Sequence, residues 1–153
     1  MEQHALQAAA LARAAGAPDA LVLTALLHDV GHFLDEPDSE FGVTDHGTSG
    51  GAWLAKRFVA AVSEPVRLHV EAKRFRCFVA PDYEAELSPA SVGTLKLQGG
   101  SMSTAGAGAF EAEPFAAGAL AVRSFDDGGK VAGLEIPALD EWRPLLDAAE
   151  FRR

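Results

Sequence analysis

Leu26-Leu27-His28-Asp29-Val30-Gly31-His32 is the stretch on which the fold turns. An apolar helix runs straight into two adjacent metal-ligand types, His28 and Asp29, and a second histidine follows four places after the first. Adjacent His and Asp can hold one ion together, and a carboxylate with two oxygens can also reach a second ion. If the helix continues to residue 32, His28 and His32 share one face of it. Read alone, the same residues also make an ordinary helix end, with Gly31 as the stop and the histidines at the negative end of the dipole. The other histidines weigh against that. The chain has five, His4, His28, His32, His46 and His69, each in a segment that can bring its ring to one centre.

Upstream, residues 3–15 are strong helix formers stopped by Gly16, with His4 at the very start. Pro18 and Asp19 open the helix that leads to His28. Downstream, Phe33 to Asp45 has no apolar period, and a loop of about a dozen residues is either a rim over a site or a plain surface excursion. Asp45 has the residue type of an N-cap for a helix through Trp53, Leu54 and Phe58, with His46 in its first turn. Gly47, Gly50 and Gly51 weaken that helix but allow close backbone approach. Without Lys-Ser/Thr after them they are no phosphate loop. Ser63-Glu64-Pro65 is expected to start the next helix, with Val66, His69, Lys73 and Cys77 on one stripe. Ser88-Pro89 caps a short helix carrying Ser91, Thr94 and Leu95, and residues 98–109 read as irregular. Glu113-Pro114 is expected to begin a helix that brings up Arg123 and Asp126, and Pro137 onward gives a last amphipathic helix. With almost no period-two pattern, the expectation is one all-α domain over residues 1–153.

The bulk numbers narrow the function. A formal charge of −9 with no basic stripe argues against nucleic acid as a partner, though not against a small anion at a metal centre. The single cysteine, Cys77, excludes an intrachain disulfide and cysteine-rich metal sites. No apolar run reaches membrane-spanning length and no signal-peptide pattern is present, so a soluble cytoplasmic protein of unknown oligomeric state is expected.

In order, the candidates are His4, His28-Asp29, His46, His69 and Asp126. This set resembles the HD-domain superfamily of helical bundles, in which metal ligands from separate helices surround a central His-Asp pair. The words Leu-Leu-His-Asp-Val-Gly-His-Phe, Asp-His-Gly-Thr-Ser-Gly-Gly-Ala-Trp-Leu and Pro-Val-Arg-Leu-His-Val-Glu-Ala-Lys-Arg-Phe narrow it. So do Ser-Pro-Ala-Ser-Val-Gly-Thr-Leu-Lys-Leu-Gln-Gly-Gly and Arg-Ser-Phe-Asp-Asp-Gly-Gly-Lys. Together they resemble the di-iron HD-domain oxygenases that cleave organophosphonates.

The resemblance implies His4, His28, Asp29 and Asp126 as ligands of one iron, and His46 and His69 as ligands of the other, with Asp29 bridging. It implies that His32, Lys73, Ser91, Thr94, Gln98 and Arg123 line the substrate pocket, with Asp29, His32 and Lys73 closest to the chemistry. It implies a mixed-valent Fe(II)/Fe(III) pair, molecular oxygen as co-substrate, and conversion of a small 1-hydroxyphosphonate to phosphate and a carboxylate. The residues themselves agree: imidazoles and carboxylates without thiolate suit iron or manganese, and Lys73 and Arg123 suit an anion. Between Asp126 and its neighbour Asp127, the family's word favours the first.

Relatives of this kind carry an aromatic and an acidic residue upstream of the first histidine ligand; here only Met1, Glu2 and Gln3 precede His4. The expectation is a fraying first turn, weak binding through His4 and partial metal occupancy at that position. Two other functions fit nearly the same residues. One is a metal-dependent phosphohydrolase acting on a phosphomonoester or nucleotide; the other is a non-catalytic ligand sensor.

Overall fold

The computed structural model describes residues 1–151. Their regular elements are all helical, with no strand among the described residues. Helix α1 (Glu2–Ala14) and α2 (Asp19–Leu27) form an antiparallel pair; a 3₁₀ turn (Val30–Phe33) follows. Then come α3 (His46–Ala55), α4 (Ala60–Val79), the single turn α5 (Tyr83–Glu86), α6 (Pro89–Leu97), α7 (Thr104–Glu111) and α8 (Ala116–Gly128). A second 3₁₀ turn (Leu139–Trp142) leads into α9 (Arg143–Ala149). Among the described residues no helix is long and apolar enough to cross a membrane.

Helix α2 is apolar nearly all round, with Val22 to Leu26 buried, as befits the central rod of a bundle. Ala8, Ala9 and Ala12 of α1 pack against Val22, Ala25 and Leu26, and Trp142 seals that cluster. Leu23 reaches the other way, to Leu54, Phe58, Val62 and Val66. Alanine on both α1 and α2 lets their axes approach closely, which brings the start of α1 beside the end of α2.

Glycine does the same for α3. A Cβ on Gly51 would lie 2.7 Å from Arg67 Cβ, and one on Gly47 would lie 3.2 Å from the Arg67 carbonyl. The expected close approach is therefore onto α4. Gly31 is tighter still, since a Cβ there would sit 2.0 Å from the His46 carbonyl oxygen. This contact seats the His-Asp turn directly on the first turn of α3.

Several element boundaries differ from the sequence expectations. Helix α2 ends at Leu27 and the chain tightens into the 3₁₀ turn, so His28 and His32 do not share one continuous helix face. The Asp45 side chain makes no capping bond. Helix α4 starts three residues earlier than expected, at Ala60, leaving Pro65 inside it. Pro65 gives up the bond to the Ala61 carbonyl, but its ring packs 3.1 Å from the Cβ position of Gly118 on α8. The stretch 98–109 is only partly irregular: Ser103 accepts from Gly106 N–H at 3.1 Å and starts α7, which buries Ala107 and Phe110. Its Ala-Gly run lacks an apolar period, so the helix is carried by its cap and tertiary packing. Helix α8 begins at Ala116 rather than at Glu113-Pro114, and the last segment is a 3₁₀ turn before a short α-helix.

These contacts set a testable contrast. Gly31→Ala should cost on the order of 3 kcal/mol, because backbone rather than a flexible side chain blocks the new methyl. Gly108→Ala, in α7 with open space around it, should stabilise by up to about 1 kcal/mol. Urea denaturation of the two variants measures both; a neutral Gly31→Ala would contradict the packing.

Candidate metal centre and substrate cleft

Five elements deliver the candidate ligands to one point. His4 comes from the first turn of α1, His28 and Asp29 from the end of α2, His46 from the start of α3 and His69 from the middle of α4. Asp126 comes from the last turn of α8. The peptide at Asp29 adopts φ −97°, ψ 7°, in the sparsely allowed bridge region where active-site residues are often found. That bend, where helix gives way to 3₁₀ turn, turns the carboxylate inward.

The imidazoles are oriented by one repeated device. His28 Nδ1 lies 2.7 Å from the Ala25 carbonyl, His46 Nδ1 3.0 Å from Val43, His69 Nδ1 2.7 Å from Val66 and His4 Nδ1 2.8 Å from Gly129. A carbonyl can only accept, so each Nδ1 carries the hydrogen and donates. In the neutral ring each Nε2 then presents a lone pair, which is the tautomer of a ligating histidine held from behind.

Those lone pairs converge on Asp29. Its Oδ2 lies 3.4 Å from His28 Nε2 and 4.0 Å from His4 Nε2. Its Oδ1 lies 3.3 Å from His46 Nε2 and 3.9 Å from His69 Nε2. The two oxygens thus face separate imidazole pairs. Asp126 Oδ1 stands on the first side, 2.8 Å from His4 Nε2 and 3.7 Å from His28 Nε2.

This arrangement fits a metal pair. His28 Nε2 is buried without any hydrogen-bond partner, a lone pair that costs free energy unless a cation takes it. His46 Nε2 and His69 Nε2 are 2.9 Å apart, which sets two lone pairs against each other. Two imidazole nitrogens about 2.1 Å from one ion at right angles are separated by about 3.0 Å. Burial opposes ionisation of Asp29, yet positive charge on the side of His28 and His46, as a cation held there would also supply, outweighs it and holds the carboxyl well below its usual range. Asp126 is held low in the same way, chiefly by Arg123 against the cost of burial. Burial alone would lower His4, but Asp126 overrides it and raises the ring. A positive species is favoured between His4 and Asp126, whether a proton or a metal ion.

Beside this centre is a cleft of about 180 Å³, lined by His4, Asp29, His32, Phe41, His46, Lys73, Ser88, Ala90, Ser91, Thr94, Arg123, Asp126 and Lys130. Lys73 is buried and its Nζ donates to Thr94 Oγ1 at 3.0 Å. Arg123, also buried, spans both acids of α8: Nη1 is 2.7 Å from Asp126 Oδ2, while Nε and Nη2 donate to Asp127 Oδ1. Asp127 also accepts from the Tyr83 hydroxyl.

Comparison with known proteins meets this geometry. No family model matches the chain. It is 48% identical to the hydroxymethylphosphonate dioxygenase of Gimesia maris, over 95% of this chain and 75% of that protein. It is 38% identical to the [1-hydroxy-2-(trimethylamino)ethyl]phosphonate dioxygenase of Leisingera caerulea, over 95% of this chain and 76% of that protein. An uncharacterised protein of Acanthamoeba polyphaga mimivirus is 31% identical over 94% of this chain. The chain belongs to the HD-domain phosphonate dioxygenases.

Within this dioxygenase, nearly all the residues singled out from sequence gather at one place. His32 stands beside the pair, 3.9 Å from Asp29 Oδ1 and stacked on His46 with ring centres 3.9 Å apart. Burial and the neighbouring His46 lower its basicity. Asp126 faces the imidazoles while Asp127 faces Arg123 and Tyr83, which separates the two adjacent acids. His4 is anchored at Gly129 and Asp126, and Ala5 N–H already bonds the Met1 carbonyl at 3.1 Å, so the first turn is formed. Gln98 is the exception. It does not line the cleft; its amide donates to the Thr44 carbonyl at 3.0 Å.

Four cleft residues, Phe41, Ser88, Ala90 and Lys130, were not among the site residues expected from sequence, and two of them bear on the chemistry. Lys130 Nζ lies 3.3 Å from Ser91 Oγ and 3.6 Å from Asp126 Oδ1. Its signal was present, four places after Asp126 in a word already noted. Phe41 sits in a segment without periodicity, where no local pattern marks it.

Burial, with the nearby Arg123, pushes the Lys73 ammonium down to about 8 from its ordinary 10.5. The unfolded chain therefore holds that proton more tightly, and stability rises with pH between those values. Lys73→Met should be more stable than the parent below about pH 8, by on the order of 1–3 kcal/mol. The gap should close towards pH 10.5. Urea unfolding as a function of pH measures this; a variant destabilised at pH 7 would contradict it.

Proposed function

We propose that this dioxygenase converts a small 1-hydroxyphosphonate and molecular oxygen to a carboxylate and inorganic phosphate. The observation that carries the reading is the division of the Asp29 carboxylate, Oδ2 towards His4 and His28 and Oδ1 towards His46 and His69. On this reading His4, His28, Asp126 and Asp29 would hold one iron, and His46 and His69 together with Asp29 would hold its neighbour, as an Fe(II)/Fe(III) pair. Bound there, the metals supply oxygen activation and the electron changes of carbon–phosphorus cleavage.

The chain's own residues fix the substrate. A phosphonate brings two negative charges into a cleft bearing Lys73, Arg123 and Lys130. Lys73 and Lys130 act as point charges, while Arg123, locked by Asp126 and Asp127, offers only its remaining N–H groups and cannot turn away. The Ser91 hydroxyl, which accepts from Ser88 and Lys130, keeps its own hydrogen for the same oxygens, while Thr94 donates to the Ser91 carbonyl and holds Lys73. Neutral His32, beside Asp29, is placed to accept the proton of the substrate hydroxyl. The stoichiometry closes without an external reductant: hydroxymethylphosphonate dianion plus dioxygen equals formate plus dihydrogenphosphate. The carbon–phosphorus bond breaks, and the carbon rises from the alcohol to the acid level.

Incubating iron-loaded protein with a panel of 1-hydroxyphosphonates under air tests this. Phosphate release matched by oxygen consumption is the expected result. Phosphate release from phosphomonoesters under nitrogen would instead establish an HD-domain phosphohydrolase.

A further inference from the structure

The loop between the first 3₁₀ turn and α3, residues 34–45, is organised around its own polar side chains. The Asp38 carboxylate accepts from Thr44 N–H at 2.9 Å and Thr44 Oγ1 at 2.5 Å. Ser39 Oγ donates to the Gly42 carbonyl at 2.9 Å and accepts from Phe41 N–H at 3.2 Å. Gly42, at φ +97°, takes the left-handed backbone that favours glycine, and a Cβ there would lie 3.3 Å from the His32 ring. Gln98, standing outside the cleft, ties the end of the loop to α6 through the Thr44 carbonyl.

This framework holds one large apolar side chain at the rim. Phe41 is 39% exposed, yet the far edge of its ring is seated on α6. A Cβ at Gly93 would lie 2.5 Å from Phe41 Cζ and 2.7 Å from both Cε atoms. Gly93 lies on α6 between Ser91 and Thr94, which line the same cleft. Among the described cleft residues, Phe41 is the only aromatic that is not a histidine.

The charges of the cleft point the same way. Among the described residues, its carboxylates are Asp29 and Asp126; Asp29 faces the imidazoles and Asp126 pairs with His4 and Arg123. Three cations, Lys73, Arg123 and Lys130, share the walls. The loop acids Asp35, Glu36, Asp38 and Glu40 do not line it. A cationic tail would find no carboxylate in this cleft that lacks a partner.

We propose that Phe41, seated on Gly93, is the specificity-determining residue of this cleft, limiting the substituent on the carbinol carbon to hydrogen or a small neutral group. This rests on the hydroxyphosphonate reading above. The chain would thereby discriminate by bulk and charge at the tail, after the phosphonate end has been fixed by the lysines and Arg123.

The test uses iron-loaded parent, Phe41→Ala and Phe41→Leu proteins and two measurements. In the first, kcat/KM is compared between hydroxymethylphosphonate and 1-hydroxybutylphosphonate. The parent should favour the compact substrate, and Phe41→Ala should shift the ratio towards the longer one by about tenfold or more, with Phe41→Leu between. In the second, calorimetric affinities are measured for methylphosphonate, butylphosphonate and 2-(trimethylammonio)ethylphosphonate, none of which carries the reacting hydroxyl. Phe41→Ala should gain relative affinity for the butyl compound, while the ammonium compound stays weak in all three proteins. Ratios unchanged within twofold, or a parent that binds the ammonium compound as well as methylphosphonate, would overturn the proposal. Should no hydroxyphosphonate turn over in any protein, the catalytic reading fails alone, and the affinities still decide the role of Phe41.

Discussion

The structure depends on a carboxylate that faces more imidazole nitrogen than it could face without a cation. His4, His28, His46 and His69 each spend the Nδ1 hydrogen on a backbone carbonyl. What remains is four inward lone pairs and two buried acids. In an apolar bundle such a cluster is electrostatically unfavourable by itself. A metal bound there would convert it from a cost into a source of stability, since binding free energy then adds to folding free energy. The helices that meet at this point are joined as much by the centre as by their apolar faces.

Backbone proximity makes the cluster possible. Gly31 against the His46 carbonyl, and Gly47 and Gly51 against Arg67, draw the His-Asp turn, α3 and α4 together with almost no side chain between. The glycines lower the intrinsic helix propensity of α3, and what they allow in return is the 2.9 Å approach of His46 to His69. On the other side the alanines of α1 and α2 perform the equivalent service for His4. Around this cluster stands a layer with a different task. Asp127, anchored by Tyr83, holds Arg123 in place, and the 34–45 loop presents Phe41 to α6.

The sequence was most legible where chemistry and spacing coincide. His28-Asp29, His46, His69, Lys73 and Arg123 each sat in a word whose residue types make sense together, and these residues do meet in space. Helix identity was also readable, because α1, α2 and α4 carry strong propensity or a clear stripe. Less legible was whatever depends on contacts distant in sequence. Nothing local says that Pro65 is accommodated inside α4 by Gly118 of α8, or that the Ala-Gly run of α7 becomes helical under Ser103. Gln98 carries a side chain suited to a pocket, yet its amide is spent on the Thr44 carbonyl. Lys130 and Phe41 owe their places to the turn after α8 and to the polar loop, neither of which has a period to read.

The most direct measurement concerns Asp29. Iron content per chain should be determined for the parent and for Asp29→Ala, both reconstituted anaerobically with ferrous iron, with helicity checked by circular dichroism. A carboxylate shared by two ions predicts two irons per chain in the parent and loss of both together in a helical Asp29→Ala. An Asp29→Ala protein that retains the parent's full iron content would contradict the account.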